Sequence, residues 1–149
     1  RITLHVLYIV RLILYQRIGS MTLYNFNKYN ARRTKLDGHI FDSQMEANRY
    51  SELKLMQKCG DISGLILQPM FVLLCGFTRG GKKIRPIQHY ADFQYLDKRT
   101  GRTVVEDVKG VETPVWKIKC KLLLYQFSQS KQFKNFDYHV VRMDGVDIL

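Results

Sequence analysis

The sequence predicts a single α/β domain in the order helix, three strands, helix, strand (αβββαβ). Three observations carry that prediction. A helix-periodic segment ends at Gly60, two alternating segments flank the turn-rich run Asp97-Lys98-Arg99-Thr100-Gly101-Arg102, and Thr113-Pro114 opens a second helix before a short apolar strand. With 149 residues, 46% of them hydrophobic, the chain suffices for one domain with a modest core.

Residues 1–20 stand apart as an apolar and basic leader. The apolar run from Ile2 to Ile18 is interrupted by His5, Arg11 and Arg17, so no uninterrupted stretch approaches the roughly 20 residues that cross a bilayer, and no small-residue cleavage site follows. No membrane partner is expected. The first methionine is Met21, after Gly19-Ser20, and we expect the native chain to start there. The leader is then upstream translation, an expression remnant, or an accessory amphipathic helix. Residues 21–149 form the expected domain, beginning with an irregular basic arm over residues 22 to 35.

The first helix runs from about Gln44 to Lys58. Ser43 caps it, Ala47, Tyr50, Leu53 and Met56 keep helical spacing, and Gly60 stops it. Leu65 to Phe77, rich in branched and aromatic residues, reads as the first strand, with Pro69 making it irregular or an edge. The Thr78-Arg79-Gly80-Gly81-Lys82-Lys83 segment turns the chain, without the glycine spacing of a phosphate loop, into the second strand, Ile87 to Leu96. The third strand spans the Val105 to Lys109 region. From Thr113-Pro114 the second helix continues to about Ser128, with Trp116, Cys120, Leu123 and Phe127 on one face and Lys117, Lys121 and Tyr125 on another. Asp137 to Met143 closes the order as a short strand.

The second and third strands form the hairpin that carries the chemistry. If its turn is centred between Arg99 and Thr100, residues whose numbers sum to 199 face each other, and Asp92 lies opposite Asp107. Like charges there, with Cβ atoms about 5 Å apart, repel unless a cation sits between them or one carboxyl is protonated. Lys109 follows on the face of Asp107, whereas Glu106 falls on the opposite face unless a bulge reverses it. A solvated surface hairpin is the plain alternative.

The net charge of +11, from 24 Lys and Arg against 13 Asp and Glu, fits a polyanionic partner. Without Arg1, Arg11 and Arg17 it remains +8, so the basic character belongs to the domain. Cys59, Cys75 and Cys120 are odd in number, far apart and lack a C-x-x-C pair, so neither a disulfide framework nor a zinc site is suggested and a reducing cytoplasm is the expected compartment. His5, His39, His89 and His139 lack ligand spacing.

The order of elements, with Glu46 in the first helix, Asp92 in the second strand and Asp107-x-Lys109 in the third, resembles the PD-(D/E)XK nuclease superfamily. Lys28-Tyr29-Asn30-Ala31, Phe41-Asp42-Ser43 with Glu46 and Arg49-Tyr50, Ala91-Asp92-Phe93, and Val104 through Gly110 are similar to a family of small phage and prophage proteins within it. Ala91 replaces the superfamily's proline. The resemblance covers residues 28 to 142 and implies a restriction-endonuclease-like core, a mixed central sheet flanked by helices. It also implies hydrolysis of DNA phosphodiesters with Mg2+ or Mn2+ in a bacterial host cytoplasm, with no small-molecule cofactor. Asp92 and Asp107 would hold the metal, Lys109 would orient or deprotonate the attacking water and stabilise developing charge, and Glu46 would complete the site, with Glu106 as the alternative second acid. Ser43-x-x-Glu46 is also a capping box, which competes for the same carboxylate.

Around such a site Arg79, Lys82, Lys83, Arg85, Lys98, Arg99, Arg102, Lys117 and Lys121 are the candidate phosphate contacts, with ordinary solubility as the alternative. The expected activity is a metal-dependent phage-type endodeoxyribonuclease in recombination, replication or packaging, with branched four-way-junction DNA as one substrate and a homodimer as one assembly. A non-catalytic DNA-binding protein with the same fold is the competing reading, and an RNA or nucleotide-directed nuclease a third.

Overall fold

Alternation and burial make one strand the centre of this chain. In the computed structural model, which describes residues 33–149, the strand Arg102–Val108 has five consecutive buried residues, Val104 to Val108, and lies between two neighbours. A strand covered on both faces reads as a nearly continuous apolar run, here interrupted by Glu106 and Asp107.

The described chain opens with a short hairpin, β1 (Thr34–Leu36) and β2 (His39–Phe41), turning at Asp37 and Gly38, both at positive φ. Asp-Gly suits that turn. Thr34 and Lys35 are therefore strand residues and not part of an irregular arm. The leader, the Met21 start and residues 22–32 of that arm lie outside the described residues.

Helix α1 (Gln44–Cys59) has Ser43 as N-cap and Gly60, at φ +81°, as left-handed C-cap. It buries Ala47, Tyr50 and Leu53. β3 (Ile62–Leu67) and β4 (Met70–Leu74) follow where one long strand is expected from the sequence, and β7 (Ile87–Tyr90) and β8 (Phe93–Asp97) replace the second. The physical reason is a shared break. Pro69 has no N–H to give the ladder, Gln68 takes a positive φ of 50°, and the crossing is bridged by Gln68 N–H to the Asp92 carbonyl (3.0 Å) and Ala91 N–H to the Pro69 carbonyl (3.1 Å). Between β4 and β7 the chain makes a further hairpin, β5 (Phe77–Arg79) and β6 (Lys82–Ile84), where the sequence predicts only a turn.

The third strand is β9 (Arg102–Val108), the second helix α2 (Pro114–Gln129) with Thr113 as N-cap, and the closing strand β10 (Phe136–Arg142), to which β11 (Gly145–Ile148) adds an edge. The five-stranded sheet has the order β11-β10-β9-β8-β3, with β9 and β10 parallel and the other pairs antiparallel. The molecule is thus a mixed α/β fold with a mixed sheet and two helices, richer in strands than expected.

Side chains alternate across β9 into two cores. Val104 and Val108 pack with Tyr50 and Leu53 of α1, while Val105 packs with Cys120 and Leu123 of α2 and with Tyr138 and Val140 of β10. Among the described residues no helix is long and apolar enough to cross a membrane.

Candidate active site

The β8–β9 register follows the sum of 199 from Asp97↔Arg102 to Phe93↔Glu106. Asp92 stands one step beyond the last pair, its amide donating to the Glu106 carbonyl (2.9 Å) and its Oδ2 accepting from the Val108 amide (2.6 Å). The break in β7–β8 therefore presents Asp92 next to Asp107. Lys109 closes the group, its Nζ lying 3.6 Å from Asp92 Oδ2 and 3.5 Å from Asp107 Oδ1.

Asp107 is fully buried. Its Oδ2 accepts from the Trp116 indole N–H (2.8 Å) and the Tyr138 hydroxyl, and His89 Nε2 lies 3.0 Å away, though its N–H is not aligned on the oxygen. The other oxygen, Oδ1, is buried without a hydrogen-bond partner and faces the Lys109 ammonium. A buried carboxylate oxygen in that condition is costly unless a cation is near. Burial alone would raise the Asp107 pKa, but His89, Lys109 and the Tyr138 hydroxyl hold it at about 2. Burial pushes Asp92 up to about 6, with the charges of Asp107 and Glu46 adding to it against Lys109 and the Val108 amide. Burial acts against the Lys109 charge, but Asp107 and Asp92 outweigh it and raise that pKa.

The structure separates Glu106 from this group. It is turned to the α1 face, where Arg49 grips it bidentately at 2.9 and 2.7 Å, the Tyr95 hydroxyl donates to it, and His139 Nδ1 lies 3.8 Å away. No bulge reverses the parity, so Glu106 is not an alternative second acid beside Asp92. Burial opposes its charge, and Arg49, His139 and Tyr95 nonetheless hold its pKa at about 2.

Glu46 is occupied as a cap. Its Oε1 accepts from the Ser43 hydroxyl (2.9 Å), its Oε2 accepts from the Asp42 amide (3.1 Å), and its own amide donates to Ser43 Oγ (3.2 Å). It lines a cleft of about 330 Å³ with His39, Phe41, Gln68 and Asp92. Among the described residues no group of three His, Cys, Asp or Glu side chains is arranged to hold a metal ion, and both Glu46 oxygens are taken up by the cap. The two aspartates offer the hard oxygen donors that a divalent cation takes, and one buried Asp107 oxygen has no hydrogen-bond donor.

The nine candidate phosphate contacts divide. Arg102 is bound to Asp137 (2.6 Å), Arg99 lies 3.7 Å from Asp97, and Lys117 lies 3.4 Å from Glu112. Lys98, Arg99 and Arg102 also sit at the turn end of β8–β9, at least five residues and roughly 17 Å along the strand from Asp92. Arg79, Lys82, Lys83, Arg85, Lys98 and Lys121 are exposed and form no ion pair among the described residues.

The sequence alone does not mark Trp116, Tyr138, His89 and Arg49 as site residues. Arg49 enters there only among the residues that carry the family resemblance and Trp116 only as a core position, while Tyr138 and His89 are polar residues whose neighbours are core. No curated protein and no solved structure matches the chain. A family model does match, over residues 26–140, and the chain therefore belongs to the family described as "Protein of unknown function (DUF1064)".

Proposed function

We propose that this protein is a metal-dependent endodeoxyribonuclease with a restriction-endonuclease-like core, related to the PD-(D/E)XK superfamily. The observation that supports it best is the convergence of Asp92 Oδ2 and Asp107 Oδ1 on Lys109 Nζ at 3.6 and 3.5 Å, one of those oxygens buried and unpaired. Asp92 and Asp107 would hold Mg2+ or Mn2+, which when bound lowers the pKa of a coordinated water and neutralises phosphate charge. Trp116 and Tyr138 fix Asp107 by one oxygen and leave the other directed at the site. Lys109, kept charged by its two carboxylates, stabilises negative charge developing on the phosphate and orients the water, a role its raised pKa favours over removing a proton. Exposed cations supply attraction for the DNA backbone.

One observation favours the non-catalytic DNA-binding reading: the capping role of Glu46 leaves two carboxylates where three are expected. Incubating the chain and its Asp107→Ala and Asp107→Asn variants with supercoiled plasmid and a labelled four-way junction, in Mg2+, Mn2+ or chelator, separates the two. Metal-requiring cleavage by wild type alone supports the nuclease, and paired symmetric cuts confined to the junction extend it to a resolvase acting as a dimer. Binding without cleavage in any metal favours the non-catalytic reading.

A further inference from the structure

From Met70 to Tyr90 the chain forms a two-stranded ribbon that leaves the main sheet beside Asp92. β4 pairs with β7, beginning at Met70↔Tyr90, and β5 pairs with β6 beyond them. At the corner between the two parts Gly76 is needed for close approach, because a Cβ there would lie 3.1 Å from the Ile84 carbonyl oxygen.

The charge pattern of this ribbon is one-sided. No carboxylate occurs between Asp61 and Asp92, while Arg79, Lys82, Lys83 and Arg85 fall inside that span, all exposed. Arg79 and Lys82 are direct cross-strand partners across the Gly80-Gly81 turn, whose φ values of +55° and +74° are those of a tight hairpin turn. Two like charges directly opposite each other repel, and strands of three residues have little stability with which to absorb that repulsion. An anion lying against both cations removes the conflict.

Reach and shape select the anion. Arg79 lies nine steps along the chain from Met70, so the tip extends no more than about 30 Å from the site end, about nine base pairs of duplex. A two-stranded ribbon fits the roughly 12 Å major groove of B-DNA. A single strand would call for a series of aromatic faces. Between Phe77 and Pro86 there is only Phe77 itself. The cross-strand pair Phe77 and Ile84, 46% and 40% exposed, offers apolar contact below the charged tip.

We infer that the Phe77–Ile84 hairpin is a DNA-binding ribbon that seats in the groove of a duplex, with Arg79 and Lys82 on its phosphates. That this duplex flanks a phosphodiester bond held at Asp92 rests on the nuclease reading above. The hairpin makes double-stranded DNA next to the scissile bond the preferred substrate.

The test measures fluorescence anisotropy against salt, in chelator, on a duplex of about three turns and on a single strand of equal length. It compares wild type, R79Q/K82Q, and the control K131Q/K134Q, which removes the same charge from exposed lysines outside the Phe77–Ile84 hairpin. The inference predicts that R79Q/K82Q flattens the duplex salt slope by about 2, near 0.9 for each phosphate no longer neutralised, and erases the preference for duplex, while the control changes the slope by less than half as much. Equal slopes for the two variants, or binding confined to the single strand or to neither DNA, would overturn it. Parallel Mg2+ cleavage assays keep the two readings apart. Hairpin-dependent duplex binding without cleavage supports the ribbon and rejects the nuclease, and cleavage and binding unaffected by R79Q/K82Q reject the ribbon alone.

Discussion

Replacing Arg49 by methionine strips the buried Glu106 carboxylate of its bidentate partner on the face of the sheet opposite the candidate site. Glu106 is fully buried and the Arg49 side chain is 12% exposed, so solvent screens the pair little. Depression of the Glu106 pKa from 4.5 to about 2 corresponds to about 3 kcal/mol in favour of the charged, folded form. Breaking a buried pair by removing one partner costs about 3–5 kcal/mol. Because Tyr95 and His139 also touch Glu106, the lower figure applies, and we expect Arg49→Met to lose about 3 kcal/mol in urea unfolding followed by circular dichroism at neutral pH. The double variant Arg49→Met/Glu106→Gln should recover part of that, since no charge is then stranded. The pH dependence has a definite sign. A depressed carboxylate pKa gives stability that is complete above the unfolded value of 4.5 and is lost as the pH falls towards about 2, so wild type should lose stability across that interval. A loss below about 1 kcal/mol for Arg49→Met, or a double variant no more stable than the single one, would refute the reasoning.

Ser43→Ala removes the oxygen that accepts the Glu46 amide and should cost about 1 kcal/mol in the same unfolding assay. Tyr138→Phe deletes one donor to Asp107 Oδ2 in a buried setting and should destabilise by about 1–3 kcal/mol. Mn2+ affinity, read by electron paramagnetic resonance, should fall with it, because the second oxygen loses its fixed direction. Lys109→Met takes the cation from between Asp92 and Asp107, so its melting temperature should rise more on Mg2+ addition than that of wild type, while any cleavage falls about 100-fold.

How far the fold is legible depends on the range of the interactions that fix each part. Ser43, Gly60 and Thr113-Pro114 act within one helical turn, and both helices begin and end within a residue or so of where those signals place them. The β8–β9 register is likewise local, set by a short turn, and with alternation it places Asp92, Asp107 and Lys109 together and Glu106 on the opposite face. The break at Pro69 and Asp92 is not local. Each long strand bends because its neighbour bends, through bonds between residues more than 20 apart, and a run of β-formers carries no mark of that. The hairpin at Gly80-Gly81 is readable as a turn, but its flanking strands are three residues long and almost wholly exposed, so they lack an alternating pattern. Arg49 and Tyr138 reach Glu106 and Asp107 across 57 and 31 residues, partners that only tertiary packing selects. Glu46 has two readings in the sequence, and the side chain is engaged as the cap.

The most direct test of the account is a single-turnover cleavage rate on an end-labelled duplex, with protein in excess so that binding is saturated, for wild type and Asp92→Asn in Mg2+ or Mn2+. The account predicts that both bind the duplex and that only wild type hydrolyses it, the variant slower by at least about 100-fold. Equal rates for the two proteins, or no hydrolysis by wild type in either metal at saturation, would contradict it.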